Sequence, residues 1–187
     1  MQRDLVARAQ AGDHDAFSVL VRASFPRLIG AARIILRDQD RAQDAVQETL
    51  VLAWRHVRAL RDPDAWDAWL HRLTVRACYR SARTHRRRDV VELHVVPDRE
   101  PATDTDAATT IVERDRLGRE IGRLPLDQRV VLVMHFYLDL PLTEAAEILD
   151  IPVGTAKSRL HRGLETLREA MAAEQPEPFR VVRERPA

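Results

Sequence analysis

The chain has 187 residues, room for one domain of ordinary size or two small ones. Hydrophobic residues at 45% and charged ones at 32% allow a buried core in water, while only 6 glycines, 5% aromatics and almost no β-branched alternation argue for an all-α fold. The start MQRDLVARAQAGD lacks the apolar core of a signal peptide and no run of about twenty apolar residues occurs, so membrane insertion is excluded and a cytoplasmic protein is expected.

Three helices are predicted first, forming an N-terminal domain over residues 1–88. The first runs from about Asp13 to Leu36, with Phe17, Leu20, Val21, Leu28, Ile35 and Leu36 as core candidates and Pro26 marking a kink or a break. The second runs from about Asp40 to Leu60. At 100° per residue Asp44, Gln47, Glu48, Val51 and Arg55 share one face, and Val46, Leu50, Ala53, Trp54 and Val57 share the other. Asp44 and Glu48, four apart, repel by a few tenths of a kcal/mol, a cost that an electropositive partner would reverse. The bland alternative is a solvated acidic face balanced by Arg41.

Asp62-Pro63-Asp64 announces the third helix, an acidic cap followed by proline at the first helical position, and the pattern extends towards Arg87. Arg76, Arg80, Arg83 and Arg87 form one stripe with Trp69 projecting nearly the same way, beside an apolar stripe of Trp66, Leu70, Leu73 and Ala77. Guanidinium groups in a row track a phosphate backbone, and an aromatic among them can stack on an exposed base. Alternatively Trp69 is half-buried structure and the arginines solvate a long helix.

Net charge is only +1, yet the charge is segregated. Seven arginines against one acid lie between Trp66 and Arg88, whereas Asp89 to Arg116 holds eight acids and three arginines. Residues 89–112, with Pro97, Pro101 and little periodicity, read as a flexible acidic linker that could stretch to roughly 80 Å. A second domain is expected over residues 113–173, and the proline-rich tail 174–187 is expected to be disordered.

Within that second domain, LTEAAEILDIPVGTAKSRLHRGLETLR from Leu142 to Arg168 spells a helix-turn-helix. Thr143 can cap a short helix with Ala146 and Leu149 inward, Asp150-Ile151-Pro152 breaks it, and a second helix begins near Gly154. There Ala156, Leu160, Leu164 and Leu167 make the apolar stripe, leaving Thr155, Ser158, Arg159 and Arg162 to face a DNA groove. A plain amphipathic hairpin would share the stripe but has no need of those hydroxyls and guanidinium groups.

Catalysis is not predicted. No nucleophile and base stand at a usable spacing, no phosphate loop occurs, and the seven histidines show no ligand spacing, so neither a metal site nor a cofactor is implied. Cys78 is single and reads as a packing residue. The residues alone leave two readings open, a subunit that docks on a larger machine or a stand-alone helix-turn-helix regulator.

Several strings are similar to the extracytoplasmic-function (ECF) sigma factors of RNA polymerase. Asp44-Ala45-Val46-Gln47-Glu48-Thr49 followed by Trp54 resembles the segment with which that family holds the clamp helices of the polymerase largest subunit, and Gly12-Asp13, Ala16-Phe17, Leu20 and Pro26-Arg27-Leu28 resemble its first helices. Leu124-Pro125, Arg129 and the run Ile151–Leu160 resemble its promoter-reading C-terminal domain. The likeness spans most of residues 5–172. It implies core polymerase and promoter DNA as partners, with an anti-sigma protein as a further one, and a role in promoter recognition, DNA melting and transcription initiation.

By the same resemblance the Trp69-Leu70 helix reads and opens the downstream (minus-ten) element, and Thr155, Lys157, Ser158, Arg159, His161 and Arg162 fall on the upstream (minus-thirty-five) element. Arg159 and Arg162 would touch base edges, while Thr155, Lys157 and Ser158 would hold phosphates. One departure stands out. Where the family often has Asn-x-x-x-Asp after the Trp-Leu pair, this chain has Arg76 and Arg80, which offer donors only.

Overall fold

The computed structural model describes the backbone of residues 1–91 and 108–173, with side-chain surroundings for residues 1–85 and 116–173. The core of the acidic linker, the tail and the side chain of Arg87 lie outside the described residues. Among the described residues every regular element is helical, and no helix is long and apolar enough to cross a membrane.

The first lobe holds α1 (Gln2–Gln10), α2 (His14–Leu36), α3 (Gln39–His56) and α4 (Trp66–Val91). The sequence reading missed α1, because only Val6 and Ala9 of its nine residues are buried and its apolar pattern is too thin to show a period. Asp13 joins α1 to α2: its carboxylate accepts from the amides of Asp15 and Ala16 at 2.9 and 3.0 Å and takes Arg8 at 2.7 Å. Those bonds hold the Asp13 carboxyl below the usual carboxylate range, the Ala16 amide foremost.

Pro26 does not break α2. It sits on the exposed side, so it removes one hydrogen bond while Leu20, Ser24, Leu28 and Ile35 stay packed before and after it. Asp38 caps α3 through the Arg41 amide, and Asp62 caps the short 3-10 turn Pro63–Ala65 that leads into α4. At the centre Trp66 is fully buried, edge-on to Phe17, with its indole N–H donating to Ser24 Oγ at 3.3 Å.

The second lobe comprises α5 (Ala108–Arg123), α6 (Leu126–Leu132) running into a wide π turn over Val133–Tyr137, α7 (Leu142–Leu149) and α8 (Val153–Ala173). Helices α4 and α5 therefore enter the stretch read as linker from both ends. Buried Arg129 donates to the carbonyls of Gly122 and Leu124 at 2.5 and 3.3 Å, closing the end of α5. Burial, then the charge of Arg37, pulls its guanidinium down to about 10, so it is still protonated at neutral pH. Thr143 does not cap α7. Pro141 is the cap residue, its carbonyl taking the Ala145 amide at 3.0 Å, so the helix starts at Leu142, two residues too early for the Thr143 hydroxyl to serve.

The lobes are in contact. Helix α2 packs against α5, α6 and the π turn, and α4 against α6 and α7, so that one hydrophobic cluster runs through both. A Cβ at Gly30 of α2 would collide with the Tyr137 hydroxyl and lie 3.0 Å from its Cζ, which is how closely the π turn approaches the first lobe.

Candidate nucleic-acid and protein interfaces

On α3, Asp44, Gln47, Glu48, Val51 and Arg55 are all exposed, whereas Val46, Ala53 and Val57 are buried and Leu50 and Trp54 half-buried. The split follows the helical period. Trp54 is anchored by His14 and Phe17, with ring centroids 4.1 and 5.0 Å away, and this fixes the rotation that turns the acidic face outward. Arg41, the expected counter-charge, reaches Ser81 instead at 3.5 Å, and Glu48 pairs with Arg80 at 2.8 Å.

On α4, Arg76, Arg80 and Arg83 are exposed and share an edge with Tyr79. The Arg83 guanidinium sits 5.6 Å from the centroid of the Tyr79 ring. Trp69 is half-buried and tilted against Trp66 at 5.7 Å, so much of its ring is spent on packing rather than offered to a base. Cys78 is fully buried on the inner face, and burial pushes its thiol up to about 12.

The second lobe presents α8 with Lys157, Ser158, His161 and Arg162 exposed and Thr155 and Arg159 half-buried. Ser158 Oγ donates to the Thr155 carbonyl at 2.9 Å, and His161 pairs with Glu165 at 3.1 Å. Arg159 is held by Asp127 of α6 at 3.1 Å, and its side chain is only 23% exposed. The helix turns at Asp150, which takes the left-handed conformation (φ 53°) that aspartate tolerates, and Gly163 lets α8 approach α6 with Leu132 Cδ1 only 3.3 Å from where a Cβ would stand.

Sequence reasoning missed Tyr79, Asp127 and Glu144. The Tyr79 hydroxyl donates to Asp127 at 3.0 Å, and Arg72 lies 3.4 Å from Glu144. Burial, then Asp127, raises the Tyr79 phenol, which keeps its proton for that bond. These partners are far apart in the chain, and no local pattern marks them.

Arg76, Arg80 and Arg83 on α4, Lys157, His161 and Arg162 on α8, and the acidic ridge of α3 are thus exposed on three separate helices. Residues 20–88 match the sigma-70 region 2 family and residues 114–167 match sigma-70 region 4. The ECF RNA polymerase sigma factor SigM of Mycobacterium tuberculosis is 32% identical over 162 residues, covering 85% of this chain and 79% of that one. The chain belongs to the ECF RNA polymerase sigma factors.

SigW of Bacillus subtilis, another ECF sigma factor, is 25% identical over 181 residues, covering 91% of this chain and 97% of its own. Among solved structures, CnrH in complex with the cytosolic domain of CnrY aligns with a TM-score of 0.62 at 26% identity, covering 93% of this chain and 99% of CnrH. The sigma factor RpoE of Bartonella quintana, solved with the anti-sigma factor NepR, aligns at 0.69 over 85% of this chain and 98% of its own; at 23% identity that likeness bears on the fold. As a sigma factor this protein directs promoter recognition by RNA polymerase, and the stand-alone regulator is not favoured.

Proposed function

We propose that this ECF sigma factor docks on core polymerase through Asp44, Gln47, Glu48, Val51 and Arg55, with the clamp helices of the largest subunit as the basic partner. The first lobe, residues 1–88, would then hold and melt the downstream element through the arginine stripe of α4, from Arg76 to Arg87, with Trp69 at its head. Residues 113–173 would read the upstream element through Thr155, Lys157, Ser158, Arg159, His161 and Arg162, and residues 89–112 would tether the two. The chain supplies binding and strain to DNA in the cytoplasm while bond formation belongs to the core. An anti-sigma protein is a further partner on this reading.

The observation that supports this best is the α3 face. Two carboxylates, an amide and an aliphatic side chain stand exposed in one stripe whose opposite side is anchored by Trp54. Glu48→Arg is expected to abolish co-purification with core polymerase while circular dichroism and the urea midpoint stay unchanged. Unchanged co-purification would show that polymerase docking does not run through this face of α3.

A further inference from the structure

At the seam between the lobes α4 faces α7 across a recess of about 380 Å³, lined by Arg76, Tyr79, Arg80, Arg83 and Thr84 on one side and by Ile148 on the other. That volume suits a small molecule. Arg76, Arg80 and Arg83 are exposed and bring three guanidinium groups to it, that of Arg83 lying over the Tyr79 ring. The two hydroxyls in the wall are already engaged. Tyr79 donates to Asp127 at 3.0 Å and Thr84 to the Arg80 carbonyl at 3.0 Å, so recognition falls to the guanidinium groups.

The charge in the recess is unbalanced. Helix α7 carries three acids, but Glu144 lies 3.4 Å from Arg72, while Glu147 and Asp150 line a different hollow with Thr143 and Pro152. What α7 turns towards the arginines is the aliphatic side chain of Ile148. Beside the recess Glu48 pairs with Arg80 at 2.8 Å, and because both side chains are exposed that pair is weak enough for a multivalent anion to replace it. Three cations set against an apolar wall focus their field on whatever enters, which favours an anion.

Spacing narrows the class of anion. Arg76 and Arg80 are displaced by about 6 Å along the helix axis, and Arg80 and Arg83 by about 4.5 Å. Guanidinium forks at such intervals can each take a different phosphate of one short chain, whereas a single orthophosphate satisfies only one of them. We propose that the recess binds a linear oligophosphate, free or carried on a nucleoside. Where a nucleoside is attached, Ile148 and the Tyr79 ring supply the apolar wall against which its base packs. The site shares three arginines with the DNA face of α4, but Ile148 belongs to the second lobe and sets it apart.

The test is isothermal titration calorimetry on the full chain in low-salt, magnesium-free buffer, with inorganic triphosphate, ATP and orthophosphate as probes. Triphosphate or ATP should bind at least about ten-fold tighter than orthophosphate. Equal affinity for the first two assigns the free chain as ligand, and tighter ATP assigns the nucleotide. Ile148→Glu and Ile148→Lys then decide the place, because both replace the same half-buried side chain and differ in the sign of charge they bring. With both variants folded by circular dichroism, the lysine chain should bind about three-fold tighter than the parent and the glutamate chain about three-fold weaker. An oligophosphate held by the arginine stripe away from α7 would bind all three chains alike. That result, or a triphosphate no tighter than orthophosphate, overturns the site. Neither polymerase nor promoter DNA enters the measurement, so its failure leaves the sigma assignment untouched.

Discussion

Glu48 on α3 and Arg80 on α4 hold each other at 2.8 Å, tying the face assigned to polymerase to the stripe assigned to DNA. With side chains 50% and 60% exposed, the pair contributes well under about 1 kcal/mol to the fold. Its effect lies in occupancy, since each partner uses the charge the other would offer to a ligand. Glu48→Gln should leave the urea midpoint within about 0.3 M of the parent and tighten binding of the free chain to a short DNA duplex about two- to three-fold at low salt. Fluorescence anisotropy checks this, and the gain should vanish above about 0.5 M salt.

Arg162 and Lys157, both exposed on α8, separate base reading from phosphate holding. Arg162→Ala is expected to cost about 1–3 kcal/mol on a matched upstream element and little on a scrambled one. Lys157→Ala should weaken both equally and lower the salt slope by about one. Competition binding with the two duplexes across a salt series distinguishes them.

His71 makes the packing of the lobes sensitive to acid. Burial, then the charge of Arg27, lowers its pKa below the ordinary 6.5, against smaller opposing effects from Asp67, the Leu138 backbone and Asp139. A lowered value means that the neutral ring belongs to the packed form. Its contribution is full above the ordinary pKa and is lost as pH falls through the lowered one. Resistance to urea should therefore decline between about pH 7 and pH 5, and His71→Gln should flatten that decline.

Gly30 tests how tightly the π turn seats on α2. Gly30→Val adds a branched side chain against Tyr137 and should loosen the seam while leaving α1, α3 and the near part of α4 intact. Hydrogen exchange would report faster amides in Val133–Tyr137 and around Asp139 with little change around Trp66. Uniform loosening of both lobes would contradict the account.

Cys78 should be inert in the native protein. Fully buried, with its thiol raised to about 12, it presents almost no thiolate near neutral pH. A disulfide reagent should modify it only after addition of denaturant, and modification within minutes in native buffer would show that the α4 core opens readily.

Much of this protein was legible in its residues. The outward face of α3, the apolar stripe of α8 with Ala156, Leu160 and Leu167 buried, and the Asp62-Pro63 start of α4 follow from a period of 3.6 and from capping chemistry, which act within a few residues. Where the local signal was thin or doubly supplied, the reading slipped. Helix α1 has too few apolar positions to show its period, and Pro141 forestalled Thr143 at the start of α7.

Charge partners were another matter. Arg41 stands near Glu48 in the chain, but rotation of α4 against α3 brought Arg80 to it instead. Local periodicity and two family motifs determined by themselves that there would be two helical lobes, which face of α3 would turn outward and which stripe of α8 inward, and to which machine the chain belongs. Only the tertiary structure decided that the lobes close on one another, because Tyr79 with Asp127 and Arg27 with Asp139 are separated by 48 and 112 residues, and polar contacts between surfaces leave no period in the chain that precedes them.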